Sequence, residues 1–86
     1  MTNSAQKVAA IAAVLLEREQ QDEWYNNRKS VAEEVLLLNR YIRKAENAWV
    51  DNTGDIPALH EIRKIAAIAL RCLENNGAPL RQEWKI

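Results

Sequence analysis

Residues 30–49, SVAEEVLLLNRYIRKAENAW, decide the fold class. Ser30 with Glu33 three positions on is a capping-box pattern: the hydroxyl accepts from the backbone amide of Glu33 and the carboxylate reaches back to that of Ser30. Behind it Val31, Val35, Leu38, Ile42, Ala45 and Trp49 recur at alternating steps of four and three, with Leu37, Tyr41 and Ala48 widening the stripe. A half-buried strand would alternate at every second residue, and this run does not. It predicts a helix over 30–50 whose apolar seam suits a second helix packed nearly antiparallel.

Upstream, Ser4 is the expected cap of a helix over about 4–25, ended by Asn26-Asn27. Val8, Ile11, Ala12, Leu15 and Leu16 share one face of it, and Glu17, Arg18, Glu19 and Gln21 are expected to turn to water. Downstream, residues 51–55 collect turn formers, and Pro57 suits a first helical turn, where its missing amide costs nothing. The third helix, over about 56–76, has Leu59, Ile62, Ala66, Ala69 and Leu73 as its seam and Ile65, Ile68 and Cys72 beside it. It stops at Asn76-Gly77, with Pro79 beyond and a tail over 77–86. The expected fold is therefore all-α, a single domain over 1–86: an antiparallel bundle of three main helices. Apolar residues occupy more than one stripe on the second and third helices, so each is expected to touch two neighbours, one of them from another chain.

Composition narrows the function. The chain has 86 residues, twelve Lys plus Arg against twelve Asp plus Glu, and one His. Much of its apolar share is alanine, so a monomer would have a thin core, and a homo-oligomer, dimer or tetramer, is the expected state. Coating of nucleic acid or of an anionic membrane needs a summed positive field, so neither is an expected partner, although a local basic patch is allowed. Cys72 stands alone, which excludes an internal disulfide and a Cys-rich zinc site and fits the cytoplasm. The longest apolar run, Val8 to Leu16, is half of what a bilayer requires, and it flows into Glu17, Arg18 and Glu19 without the features of a cleaved leader. Two glycines and two prolines leave no phosphate-cradling loop, and no Ser/His/Asp set can be assembled.

Acids three or four apart on a helix could converge on a hard cation, but the candidates are thin. Glu33 and Glu34 suit a first helical turn on electrostatic grounds alone, and Glu17 and Glu19 diverge. Glu61 is the best single ligand candidate, yet Lys64 follows it by three. The basic residues say more. Arg40, Arg43 and Lys44 lie on adjoining turns of the second helix, and His60, Arg63, Lys64 and Arg71 on the third. Packing could join the two sets into an anion pocket, with guanidinium groups gripping phosphate oxygens in pairs and Tyr41, Trp49 or His60 stacking on a base. Against this stands the plain alternative of two ordinary solvated faces, with Lys44 and Arg63 paired within their helices or not at all. His60 lacks a carboxylate partner beyond Glu61 and is not expected to act as an acid or base. The tryptophans at 24 and 49 read as helix-end anchors, and Trp84 as a tail contact.

Residues 17–25, EREQQDEWY, together with 43–49, RKAENAW, and 58–74, ALHEIRKIAAIALRCLE, resemble the short phage and prophage proteins grouped with the MazG-like all-α nucleoside triphosphate pyrophosphohydrolases. The resemblance runs from about Leu15 to Pro79. It implies a helical bundle assembled as a dimer or tetramer, with a nucleotide bound between helices and, in active members, magnesium-assisted cleavage of the α–β phosphoanhydride. Such enzymes hold the metal with two acidic pairs, which fall here at Tyr41 and Lys44 and at Glu61 and Lys64; only Glu61 is acidic. A register using Glu33 or Glu34 with Leu37 or Leu38 also lacks its second acid.

Three readings follow. The leading one is a catalytically degenerate nucleotide-binding protein that sequesters a phosphorylated ligand, such as a host defence signal, without a cofactor. Its binding set is Arg40, Tyr41, Arg43, Lys44, Trp49, His60, Arg63 and Lys64. The second is an active magnesium enzyme using Glu46 and Glu61, with Asp51 or Asp55. The third is a helical module that binds a host protein through Trp84 and the tail from Leu80 to Ile86.

Overall fold

The computed structural model describes residues 3–24, 28–51 and 54–81, with Trp24 described by its backbone alone. They form three helices, α1 (Ser4–Trp24), α2 (Val31–Asp51) and α3 (Asp55–Asn76), and no strand. The Asn26-Asn27 stop, Trp84 and the last residues of the tail lie outside the described residues. No described helix is long and apolar enough to cross a membrane.

The caps explain the boundaries. Ser30 and Glu33 form the reciprocal pair read from the sequence: the Ser30 amide donates to Glu33 Oε1 at 3.0 Å, and the Glu33 amide to Ser30 Oγ at 3.2 Å. These bonds favour the charged carboxylate, so Glu33 titrates below its usual value of 4.5. At α1 the cap is Asn3, one residue before the expected Ser4. Asn3 Oδ1 accepts from the Gln6 amide at 2.8 Å and Gln6 Oε1 from the Asn3 amide at 3.1 Å, a reciprocity that Ser4 with Lys7 could not provide. Helix α3 ends at Gly77, whose amide donates to Leu73 O at 2.9 Å and whose φ of 111° favours glycine.

Helix α3 is the shared partner, packing against α2 over much of its length and against α1 over less, while α1 and α2 do not pack on each other. Within the chain, α3 therefore has two helical neighbours and α2 one. The start of α2 meets the end of α3, where Asn76 Nδ2 donates to Lys29 O, and the end of α2 meets the start of α3, where Trp49 Nε1 donates to Asp55 Oδ1 at 3.2 Å.

The core is smaller than the seams suggest. Among the described residues its buried apolar members are Ala58, Ala67 and Ile68, while the seam residues Val31, Val35, Ile42, Leu59, Ile62 and Leu73 stay exposed. The polarity of α1 is inverted relative to the expectation. Val8, Ile11, Leu15 and Leu16 face outward, while Gln21 is buried and Glu17 and Arg18 are half-buried against α3. The physical reason is that α1 is held by polar contacts. Arg63 Nε donates to Glu17 Oε1 at 2.8 Å, Arg18 Nε to Glu74 Oε2 at 2.9 Å, and Gln21 Nε2 to Lys64 O at 3.3 Å. Burial opposes the charge on Arg18, but its bonds to Asp22 and Glu74 outweigh that and hold the guanidinium above its usual value.

Candidate functional site: a basic groove over the central helix

Between α1 and α2, roofless above α3, lies a cavity of about 390 Å³. Helix α1 lines it with Glu17 and Gln21, α2 with Leu37, Arg40, Tyr41 and Lys44, and α3 with Lys64, Ile68 and Arg71; Lys29 stands at the entry to α2. The spacing is that of one helical face: positions 37, 40, 41 and 44 of α2 look across at 64, 68 and 71 of α3. The volume falls within the range of small-molecule sites, and the lining has their mixture of an apolar bed with a few charged groups.

The charges fall into two sets. Toward α3, cations are matched. Arg71 donates from Nη2 to Glu34 Oε1 at 2.8 Å and from Nε to Glu34 Oε2 at 3.1 Å, with both side chains almost wholly buried. Lys64 Nζ bonds Glu61 Oε1 at 3.2 Å. Along the α2 side, Lys29, Arg40 and Lys44 make no ion pair with any described residue. Lys44 Nζ sits 4.7 Å from the centroid of the Tyr41 ring, a cation–π contact that holds the ammonium at the groove. Two buried acceptors, Gln21 Oε1 and Glu61 Oε2, have no hydrogen-bond partner. Each leaves a donor-sized deficit beside Lys64.

Of the eight residues read from the sequence as a binding set, the groove gathers Arg40, Tyr41, Lys44 and Lys64. The other four lie elsewhere. His60 and Arg63 line a second groove, between α1 and α3, where Arg63 Nη1 donates to His60 Nδ1 at 2.7 Å. Arg63 is tied to Glu17 on α1, which corrects the expectation that it pairs within its helix or not at all, and gives Glu17 a structural partner where a solvated acid was expected. Trp49 is exposed with its indole NH on Asp55, and Arg43 is exposed on α2 away from the cavity lining. Sequence reasoning missed Lys29, Gln21 and the buried role of Glu34. The signal for Lys29 was its place just before the Ser30 cap; for Glu34, a polar residue inside the α2 seam pattern, three before Leu37 and four before Leu38.

The acids weighed as metal ligands do not converge. Glu61 spends one oxygen on Lys64, Glu34 spends both on Arg71, Asp55 accepts from Trp49, and Glu46 and Asp51 are exposed. Among the described residues, no three His, Cys, Asp or Glu side chains are grouped so as to hold a metal ion. Comparison with known protein families, with curated proteins and with solved structures finds no match to this chain.

Proposed function

We propose that the chain binds a phosphorylated small molecule, a nucleotide being the leading class, in the groove over α3. In this reading it is a degenerate relative of the MazG-like pyrophosphohydrolases that captures its ligand without cleaving it. One observation carries the proposal: in a chain with no net charge, Arg40 and Lys44 face one cavity with no ion pair to any described residue, and Lys29, whose nearest acid influence is Glu33, stands at its edge. Three cations of one sign around a concave site raise the local concentration of an anion, and the arginine fork and lysine ammonium match phosphate oxygens. Tyr41 supplies a ring on which a base can stack, and the bed of Leu37 and Ile68 gives that base an apolar floor. The unpartnered oxygen of Gln21, which lines the groove, would accept from a ligand hydroxyl or amino group.

Capture without hydrolysis follows from where the charges sit. Lys44 and Lys64 occupy positions where the resembled enzymes carry metal-binding acids, so side-chain charge does the work of neutralising phosphate, and nothing at those positions activates a water. The bundle reading, antiparallel and completed by oligomerisation, belongs to the same proposal, as does a cytoplasmic setting in a phage-infected cell.

Calorimetric titration of ATP, ADP and AMP, each with and without magnesium, followed by chromatography of the recovered nucleotide, tests the proposal. Expected are magnesium-independent binding that weakens with salt and intact nucleotide afterwards. The double variant Arg40→Ala/Lys44→Ala should lose at least tenfold in affinity, while Arg43→Ala, outside the groove, should lose almost nothing. Release of pyrophosphate with magnesium would overturn the capture reading in favour of the enzyme. No binding by any of the three nucleotides would turn the search to a protein partner.

A further inference from the structure

Contacts between α2 and α3 fix where each charge stands along the groove. Glu34 bonds Arg71, Trp49 bonds Asp55, and the Lys29 carbonyl accepts from Asn76. That register sets Leu37 across from Ile68, Tyr41 across from Lys64 and Lys44 across from Glu61. The cations that line the cavity therefore form two groups. Arg40, Lys44 and Lys64 stand toward one end and Lys29 and Arg71 toward the other, with the apolar pair Leu37 and Ile68 between them. Lys64 and Arg71 are seven residues apart on α3, about 10 Å along its axis.

The Arg71 end differs in kind from the other. A guanidinium has five N–H donors, and the Glu34 carboxylate takes two of them, one from Nε and one from Nη2, along a single edge of the plane. The adjoining edge, made of Nη1 and the second N–H of Nη2, bonds no described residue. The side chain is almost wholly buried and yet lines the cavity, and Nη1 is not sealed off. Glu34 cancels much of the charge, but it also holds the plane in place, so the open edge is a preorganised fork for a second oxyanion.

We propose that Arg71 is a second phosphate-binding point of the groove, and that the preferred ligand is a nucleotide with phosphates at two separate positions of its sugar, one on Arg71 and Lys29 and the other on Arg40 and Lys44. This rests on the reading of the groove as a nucleotide site and narrows it. A run of adjacent phosphates long enough to reach both ends would lie across Leu37 and Ile68, where its oxygens would lose water without gaining donors. One gathered at the Arg40 end would leave the Arg71 fork unused. Phosphates on either side of a sugar meet both groups of donors and set the less polar part of the ligand on the apolar pair.

Calorimetric titration of two isomers, ADP and adenosine 3′,5′-bisphosphate, tests the inference with the protein unchanged, since the two ligands have the same atoms and nearly the same charge and differ in where the second phosphate sits. The bisphosphate should bind roughly tenfold more tightly than ADP. Glu34→Leu/Arg71→Met, which removes the fork together with its buried partner, should erase that advantage while ADP binds much as before, with circular dichroism confirming that the helices remain. Lys29→Ala, at the same end and outside the buried pair, should reduce the advantage severalfold and serves where the pair replacement does not fold. Equal binding of the two isomers to the wild type overturns this inference and leaves the nucleotide reading standing, as does an advantage that survives both variants. Binding of neither isomer overturns the inference together with the reading beneath it.

Discussion

Arg71 holds both oxygens of the Glu34 carboxylate, and the two side chains are 4% and 1% exposed, so neither charge has water to fall back on. Removing one partner strands the other, which costs about 3–5 kcal/mol, whereas replacing both with apolar side chains of similar volume is close to neutral. Urea denaturation of Arg71→Ala should therefore show a loss of that size, enough to unfold a chain of thin core, and Glu34→Leu/Arg71→Met should recover most of it. An Arg71→Ala loss below about 1 kcal/mol would mean that the pair is more hydrated than its burial implies. Glu33, one residue earlier, behaves differently. Its carboxyl titrates below 4.5 when folded, so it contributes stability above that pH and loses the contribution as pH falls through the folded value. Glu33→Gln keeps an acceptor but not the charge. The variant should melt below the wild type at pH 7, with the gap closing as pH falls from 4.5 through the lowered folded value, and a gap constant with pH would refute a charged cap. In the sequence these adjacent glutamates look alike. Only the capping role of Glu33 was legible there, because a cap is a matter of local spacing, while the fate of Glu34 depends on which residue of α3 comes opposite.

At the scale of the elements, helix starts and stops were the most legible feature, since they rest on contacts three or four residues apart. Ser30 with Glu33 and Asn76-Gly77 fell where the spacing placed them. The end of α3 carries its own test. Gly77 has φ 111° and ψ 148°, a region open almost only to glycine, and a Cβ there would meet nothing within 4 Å. Gly77→Ala should thus cost about 1–3 kcal/mol through backbone strain alone, measurable as a lowered thermal midpoint, and a neutral result would show that the cap relaxes freely. What periodicity could not tell was which way α1 faces. A 3.6-residue stripe identifies an apolar side but not what covers it, and here the chain covers the polar side. Glu17, Arg18 and Gln21 hold α1 to α3, and the stripe of Val8, Ile11 and Leu15 is left outward. The inversion leaves the apolar residues of α1 outside the core and so thins it.

Over the whole molecule, a net charge of zero conceals a division of labour. Carboxylates pair with the cations of α3, as Glu34 does with Arg71, Glu61 with Lys64 and Glu17 with Arg63, and the cations at the groove that form no ion pair with a described residue are Lys29, Arg40 and Lys44. Half of the candidate site was legible in the sequence, because Arg40, Tyr41, Lys44 and Lys64 follow from helical spacing on two helices expected to pack together. The other half was not. Whether Arg63 or Lys29 joins them depends on where α1 crosses, and α1 is positioned by ion pairs that leave no periodic trace. The most direct test of the groove as the binding site is a titration of ATP, without magnesium, into isotopically labelled protein followed by backbone amide chemical shifts. Saturating shifts concentrated at residues 37–44 and 64–71, and abolished by Arg40→Ala/Lys44→Ala, are the predicted result. Shifts confined to residues 56–63 beside His60 and Arg63, or none at all at millimolar nucleotide, would contradict it.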